Sequence, residues 1–361
     1  MGLIIVLNCG SSSIKFQLID SQSEKAELKG LAENLGTERS RLKWQGDKKA
    51  IGPNHQDALE AIAKLIEGKR ILAIGHRVVH GGERFRESVL ITPEVMSHLH
   101  ACSDLAPLHN PVNILGVQKM QELFPELPQV AVFDTAFHQT LPEMAFLYAL
   151  PYDLYKTHHV RKYGFHGTSH RYVIEEAAKE LGKKLEETRF ISCHLGNGSS
   201  AAACLGGKSI DTSMGMTPLE GLMMGERAGD LDPSLVPFLG EKLRMTGEEV
   251  VGLLNKESGL KGVSGISEDM RLLLESDETG AKLAIEMFCY RIAKYIGAYF
   301  VALGGADRII FTGGIGENAA PIRDKVMELV KCLGVEPLVI RTNEEVMIAR
   351  DAVRIVCDTR F

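Results

Sequence analysis

One short unit, found twice, constrains this chain more than any other feature: a β-rich apolar run that breaks abruptly at glycine and serine. Leu3-Ile4-Ile5-Val6-Leu7 lacks polar alternation, as expected of a strand buried on both faces. It stops at Asn8-Cys9-Gly10-Ser11-Ser12-Ser13, a turn, after which Ile14, Phe16 and Leu18 alternate with Lys15 and Gln17. Further on, Arg189 to Leu195 runs into Gly196-Asn197-Gly198-Ser199-Ser200 and then apolar Ala201 to Leu205. Aligning Gly10-Ser11-Ser12 with Gly198-Ser199-Ser200 superposes two strand–turn–strand units. Each half adds a later strand: Val130 to Phe133 ends at Asp134-Thr135, and Arg308 to Thr312 ends at Gly313-Gly314-Ile315-Gly316. Two similar α/β halves imply a duplicated domain with a cleft between.

The intervening segments read as helices and strands of the same plan. Asp57 to Gly68 is a helix with Leu59, Ile62 and Ile66 on one face, Asp57 and Glu60 as its capping box and Gly68 as its C-cap. Ile71 to Ile74 is a strand, with Arg77 just past it. Helices at His170–Leu181 and Ala281–Leu303 stop at Gly182 and Gly304. The 361 residues suit roughly two domains of about 150 residues each. Lys plus Arg is 41 and Asp plus Glu is 47, so the formal net charge is −6. A mildly acidic chain is a poor non-specific binder of nucleic acid or anionic membrane, so an anionic ligand must be held by local positive groups. Seven cysteines, an odd number with no C-x-x-C pair, indicate neither a disulfide framework nor a zinc site. The first apolar run is too short for a signal segment or a membrane span, and the protein reads as cytoplasmic.

Small residues at the two turns let backbone N–H groups approach a phosphate, and hydroxyls add donors; the competing reading is a tight turn that needs glycine. No Walker A motif occurs. Thr312 to Asn318 is a third glycine-rich segment, placed where a flat base or ribose can lie against backbone. Arg77 and Arg227 sit in glycine-rich, apolar-flanked segments rather than on charged helical faces, where a surface ion pair is the usual explanation. His166 lies between small and aromatic residues, as a held imidazole. His166 and His170 have the spacing of a zinc pair, but no third ligand is placed, Gly167 weakens a helix, and a satisfied core histidine is the alternative. Asp134, Asp269 and Glu344 are carboxylates of the kind that accompany phosphate loops through Mg²⁺; for Asp269 and Glu344 a helix cap competes.

These segments together resemble the acetate kinases, within the acetate and sugar kinase, Hsp70 and actin superfamily. The likeness is carried by Asn8 to Lys15, Gly75 to Gly82, Ala106 to Pro111, Phe133 to His138, Tyr163 to His170, His194 to Ser200, Asp211 to Arg227, Phe311 to Asn318 and Thr342 to Glu345. The resemblance implies an α/β fold of duplicated ribonuclease-H-like (actin-like ATPase) domains with an interdomain cleft. It divides the chain into residues 1–138 plus 346–361 and a nucleotide-binding domain 139–345. It implies Mg²⁺-dependent transfer of the ATP γ-phosphoryl group to acetate, giving acetyl phosphate and ADP, with Mn²⁺ as the alternative metal, in a cytoplasmic homodimer. Asp134, Arg77, His166 and Arg227 become the catalytic set, with His166 and Arg227 stabilising the transition state. Asn8 and Glu344 become metal-side groups. Arg77, Val79, Leu108 and Pro218 hold acetate, Val79 narrowing the methyl pocket against propionate and butyrate. The nucleotide falls to Lys15, His194, Leu195, Gly196, Asn197, Gly198, Asp269, Met270, Arg271, Gly313, Gly314, Ile315, Gly316 and Asn318.

Two departures stand out. The chain is shorter than most of the family, chiefly after Gly334, where Val335-Glu336-Pro337 leads almost directly to Leu338-Val339-Ile340. Glu226 replaces a usual neutral residue, so an acid beside Arg227 is expected to pair with it and weaken anion binding. The same fold also serves nucleotide-gated ATPase switches; no appended substrate-binding domain is read here. Among kinases, a propionate kinase is the nearer alternative.

Overall fold

The computed structural model describes residues 2–107 and 109–358. Its contacts separate two units, Met1–Phe137 with Asn343–Phe361, and His138–Thr342. In the first unit the apolar run forms β1 (Leu3–Cys9), and the turn at Gly10 returns it as antiparallel β2 (Ser13–Asp20). β3 (Ala26–Glu33), β4 (Arg41–Trp44) and β5 (Asp47–Ala50) continue the meander outward. On the other side of β1 lie β6 (Ile71–Val78), parallel to it, then β8 (Gln129–Phe133), parallel to β6, with β7 (Val89–Leu90) at the edge. Successive strand residues face opposite sides. Leu3, Ile5, Leu7 and Cys9 therefore join Leu59 and Ile62 of the 55–65 helix and Met120 of the 110–123 helix in one core. The C-terminal helix Glu344–Asp358 packs on β1 and β6 and buries Val346, Met347, Ile348 and Ala352.

The second unit repeats the plan. β9 (Arg189–Leu195), β10 (Ser199–Leu205) and β11 (Lys208–Thr212) form an antiparallel meander; β12 (Arg308–Thr312) lies parallel to β9, and β13 (Pro337–Val339) parallel to β12. The order β11-β10-β9-β12-β13 matches β3-β2-β1-β6-β8, so the duplication expected of a ribonuclease-H-like chain is present in the strand topology. The helix Thr279–Leu303 repeats apolar residues at three- and four-residue spacing, and Ala281, Ala284, Phe288, Ile292 and Ile296 pack on Ile191, Cys193, Ala201, Ile309 and Phe311. The helix Gly167–Glu180 packs on β9 and β12. Among the described residues no helix is long and apolar enough to cross a membrane.

Three local expectations are corrected. The first helix spans His55–Leu65, with Asn54 as N-cap and Asp57 as its capping-box partner, because Asn54 Oδ1 accepts from Asp57 N at 2.8 Å. β6 runs on through His76 and Arg77 to Val78, so Arg77 is a strand residue, held by pairing with β8. Gly167 does not weaken a helix; it starts one, because His166 before it adopts a left-handed φ of 56° and turns the chain.

Gly75 marks where the C-terminal helix presses on β6: a Cβ there would stand 2.6 Å from Ile348 Cγ2. Gly75→Ala should overpack this contact and cost about 1–3 kcal/mol. An unchanged urea midpoint in that variant would refute the close approach.

Candidate active site

Strand order gathers the first cluster. β1, β6 and β8 are neighbours running the same way, with Leu7 level with His76 and Val78 level with Phe133. Asn8, Arg77 and Asp134 therefore emerge at one end of the sheet. Arg77 donates through Nε to Asp134 Oδ1 (3.0 Å), through Nη2 to Asp134 Oδ2, and through Nη1 to Asn8 Oδ1 (3.3 Å). Glu344, the first residue of the C-terminal helix, brings Oε2 to 3.8 Å from Arg77 Nε. Asn343 accepts from Val346 N, so the capping role belongs to Asn343 and leaves Glu344 turned toward the arginine. Burial alone would lower the Arg77 guanidinium, but the carboxylates of Asp134 and Glu344 outweigh it and raise its pKa. Lys15, expected at the nucleotide, is paired with Glu345 on this unit.

Past Arg77 the chain is held by two buried asparagines that the sequence reading assigned no role. Asn113 Oδ1 accepts from Val79 N (3.1 Å) while its amide donates to Cys9 O (2.8 Å). Asn110 accepts from His80 N and donates to His80 O. Val79 is thereby fixed and nearly buried. Leu108, the expected neighbour in the methyl pocket, lies outside the described residues. Pro218 is in the second unit, where its carbonyl accepts from Arg227 Nη1 at 3.1 Å.

The second cluster forms around the β9–β10 turn. Gly196 N donates to Gly198 O, and Asn197 O accepts from Gly225 N, tying the turn to the segment that carries Arg227. A Cβ at Gly198 would stand 3.5 Å from His166 Nε2 and 3.6 Å from Arg227 Nη1, so the glycine brings backbone, imidazole and guanidinium together. The His166 ring stacks on His194 at 4.3 Å, and Ser169 Oγ links His194 Nδ1 (2.8 Å) to Thr342 Oγ1 (2.7 Å). Burial lowers the Arg227 guanidinium pKa, which Glu226 beside it partly offsets. Glu226 does not pair with Arg227 as expected: its carboxylate takes Lys261 Nζ at 2.7 Å. Among the described residues Arg227 makes no ion pair, so its charge is left for a ligand.

The third glycine segment opens the short helix Gly313–Asn318. Gly313 needs a φ of +78°, and a Cβ there would lie 2.7 Å from Leu195 O, so only glycine brings this segment against the end of β9. Glu317 Oε1 gathers Gly313 N, Thr312 Oγ1 and Thr342 N, a role the sequence reading did not assign; Asn318 donates to Gly314 O. Ile315 packs on the core. Asp269 caps the helix Met270–Glu275 and grips the exposed Arg271 guanidinium at 2.6 and 3.1 Å, while the Met270 side chain is committed to the core. His170 has both ring nitrogens on serine hydroxyls, so a zinc ion held with His166 would have to displace one.

With the geometry in place, comparison gives the lineage. The Acetokinase family matches residues 3–344. The chain belongs to this family. A protein from Shewanella loihica called acetate kinase is 50% identical, with 98% of this chain and 99% of that protein covered. The crystal structure of Porphyromonas gingivalis acetate kinase superposes with a TM-score of 0.94 at 43% identity, covering 99% of this chain and all of that one. A propionate kinase from Francisella tularensis gives 0.94 at 44% identity, covering 98% and 100%. The alignment with the Shewanella relative runs over 393 positions against 361 residues here, so this chain lacks at least 32 of them.

Burial depresses His76, His80 and His138 to about 4, below an unfolded value near 6.5. These depressed values stabilise the fold fully above the unfolded pKa and cease to do so as pH falls toward 4. The urea midpoint should therefore drop through this window; a midpoint flat from pH 6.5 to 4.5 would contradict the buried neutral imidazoles.

Proposed function

We propose that the protein is an acetate kinase that transfers the γ-phosphoryl group of ATP directly, in line, to acetate. Arg227, half-buried beside His166 and Gly198 and without an ion pair among the described residues, is the observation that carries this reading. A carboxylic acid with a pKa near 4 is already ionised at neutral pH and needs no general base. The barrier is anion meeting anion, so the site must supply cations and donors; positioning and electrostatic stabilisation then carry the transfer. Arg227 and His166 face the transferred group, the Gly196–Gly198 turn and the helix start at Gly313–Gly314 serve the nucleotide phosphates, and Asp269 and Arg271 the ribose and base. Arg77 orients acetate, and Val79 lines the pocket for its methyl group.

The cluster around Arg77 fits a hard divalent cation. One guanidinium among two carboxylates, Asp134 and Glu344, leaves a formal charge of +1 − 2 = −1, unsuited to a polyphosphate until a cation joins it. The amide and carboxylate oxygens of Asn8, Asp134 and Glu344 are the donors Mg²⁺ takes, with water completing its shell. Bound there, Mg²⁺ would neutralise phosphate charge, with Mn²⁺ as substitute. The reading includes a cytoplasmic homodimer. Seven free cysteines suit a reducing compartment, and exposed Leu283, Tyr290 and Val301 on the 279–303 helix suit association. The experiment is acetyl phosphate trapped with hydroxylamine: acetate-dependent formation supports the kinase, and ATP loss without acetate supports a nucleotide-gated switch.

Arg227→Lys should keep the fold and lower kcat on the order of 10²–10³-fold, because a point charge cannot replace the planar fork. Activity within a few-fold of wild type would remove Arg227 from the mechanism.

The propionate kinase neighbour makes acyl length the nearest question. One methylene is worth about 1–3 kcal/mol, roughly 10–200-fold. Wild type should use propionate less well than acetate and butyrate poorly, and Val79→Ala should narrow the acetate-over-propionate ratio in kcat/KM by improving propionate. A wild-type preference for propionate, or a ratio indifferent to the substitution, would take Val79 out of the acyl pocket.

A further inference from the structure

His166 is held from behind by a buried chain of hydroxyls and imidazole. Its Nδ1 lies 2.9 Å from Ser200 Oγ, Ser200 Oγ lies 2.8 Å from His170 Nε2, and His170 Nδ1 lies 2.8 Å from Ser192 Oγ. Ser192 on β9, Ser200 on β10 and His170 one turn into the 167–180 helix are all fully buried. Burial holds His170 well below the usual histidine range, hence neutral.

Proton counting selects one direction for this chain. A neutral imidazole has one N–H and one lone pair, and a hydroxyl has one hydrogen to give. When Ser192 donates to His170 Nδ1, His170 donates through Nε2 to Ser200 and Ser200 donates to His166 Nδ1. Every hydrogen is then used. In the reverse direction His166 Nδ1–H donates to Ser200, Ser200 to His170 Nε2, and His170 Nδ1–H to Ser192. The Ser192 hydroxyl hydrogen would then be buried with no acceptor among the described residues, a net cost.

We propose that Ser192, His170 and Ser200 form a one-way hydrogen-bond chain that selects the Nε2–H tautomer of the His166 imidazole. An N–H donor, not a lone pair, then faces Gly198 and Arg227. The three are positioning residues, and their value to catalysis rests on the proposed role of His166 at the transferred phosphoryl group. His194, stacked on the His166 ring, holds its plane.

The test is a two-bond ¹H–¹⁵N correlation spectrum of protein labelled at histidine, recorded above the ordinary histidine pKa range, with His166 assigned through His166→Gln. Wild type should show a protonated Nε2 and a bare Nδ1. Ser200→Ala should give mixed tautomers and lower kcat on the order of tenfold, less than the 10²–10³ expected for losing a donor outright. Acetate and ATP KM values should stay within about twofold, the mark of an interaction made in the transition state. Ser192→Ala, two links from His166, should move both readouts the same way but less, and it carries the test if Ser200→Ala does not fold. Ser200→Thr, which restores the hydroxyl, should recover the wild-type spectrum and rate. A wild-type His166 protonated at Nδ1 overturns the proposal, as do serine variants with unchanged tautomer and kcat. If His166→Gln keeps full kcat, the functional reading of His166 fails instead, and the spectrum still decides the chain.

Discussion

The Arg77–Asp134 fork is the contact on which the first unit's chemistry depends, and it exists only because three parallel strands end together. Arg77 on β6 and Asp134 just past β8 are 57 residues apart in the chain and adjacent in space. A bidentate guanidinium–carboxylate pair fixes both partners in one plane. Asn8 and Glu344 then approach a group that cannot rotate. Asn113 adds a second restraint by pinning Val79 N to the residue that closes β1. The second unit reaches its geometry by other means. There glycine at 198 and 313 lets backbone come to within van der Waals reach of side chains and of the neighbouring strand end, and His166 is set by its left-handed turn. One unit positions by ion pairing, the other by absent side chains.

Much of this was legible in the sequence because burial and turn chemistry leave local marks. The continuous run at Leu3 and the five-residue run at Arg308 gave strands within a few residues of those observed, and the two Gly/Ser turns pointed to a duplication that the strand order bears out. The errors lie where long-range contacts overrule local pattern. The apolar run stops at Ile74 and leaves His76 and Arg77 looking as if they lie past the strand, yet pairing with β8 carries β6 through them. Asp57 and Glu60 look like a capping box, yet Asn54 stands nearer the helix start and its side chain reaches Asp57 N. Hidden altogether were Asn110, Asn113, Ser192 and Glu317, whose roles come from partners far away in sequence.

The concern raised by Glu226 also ends in a distant partner. Adjacent residues on an irregular segment need not face the same way, and Lys261, 35 positions on, draws the carboxylate to itself. Ser258 N and Lys261 N donate to Glu226 O and Gly225 O, which holds that lysine-bearing turn against the segment. Arg227 is therefore flanked by an acid yet carries its charge unopposed by contact, and what lowers its pKa is burial.

A shortening after Gly334, as the resemblance implies, would fall in a segment whose ends are anchored. Gly334 ends a turn in the left-handed region, and eight residues, β13 among them, remain before the chain leaves the second unit. At its start Gly334 N donates to Lys331 O, and just before β13 Glu336 O accepts from Ile309 N. Past β13, Thr342 is tied by its N–H to Glu317 and by its hydroxyl to Ser169, next to the imidazole stack. One residue on, Asn343 caps the C-terminal helix, and that helix packs on β1 and β6. Glu344 reaches Arg77 because the helix start is fixed, not because of the path the chain takes to it. An excursion hung between Gly334 and β13, which pairs with β12, can change length at little entropic cost, since closing a loop depends only logarithmically on its length.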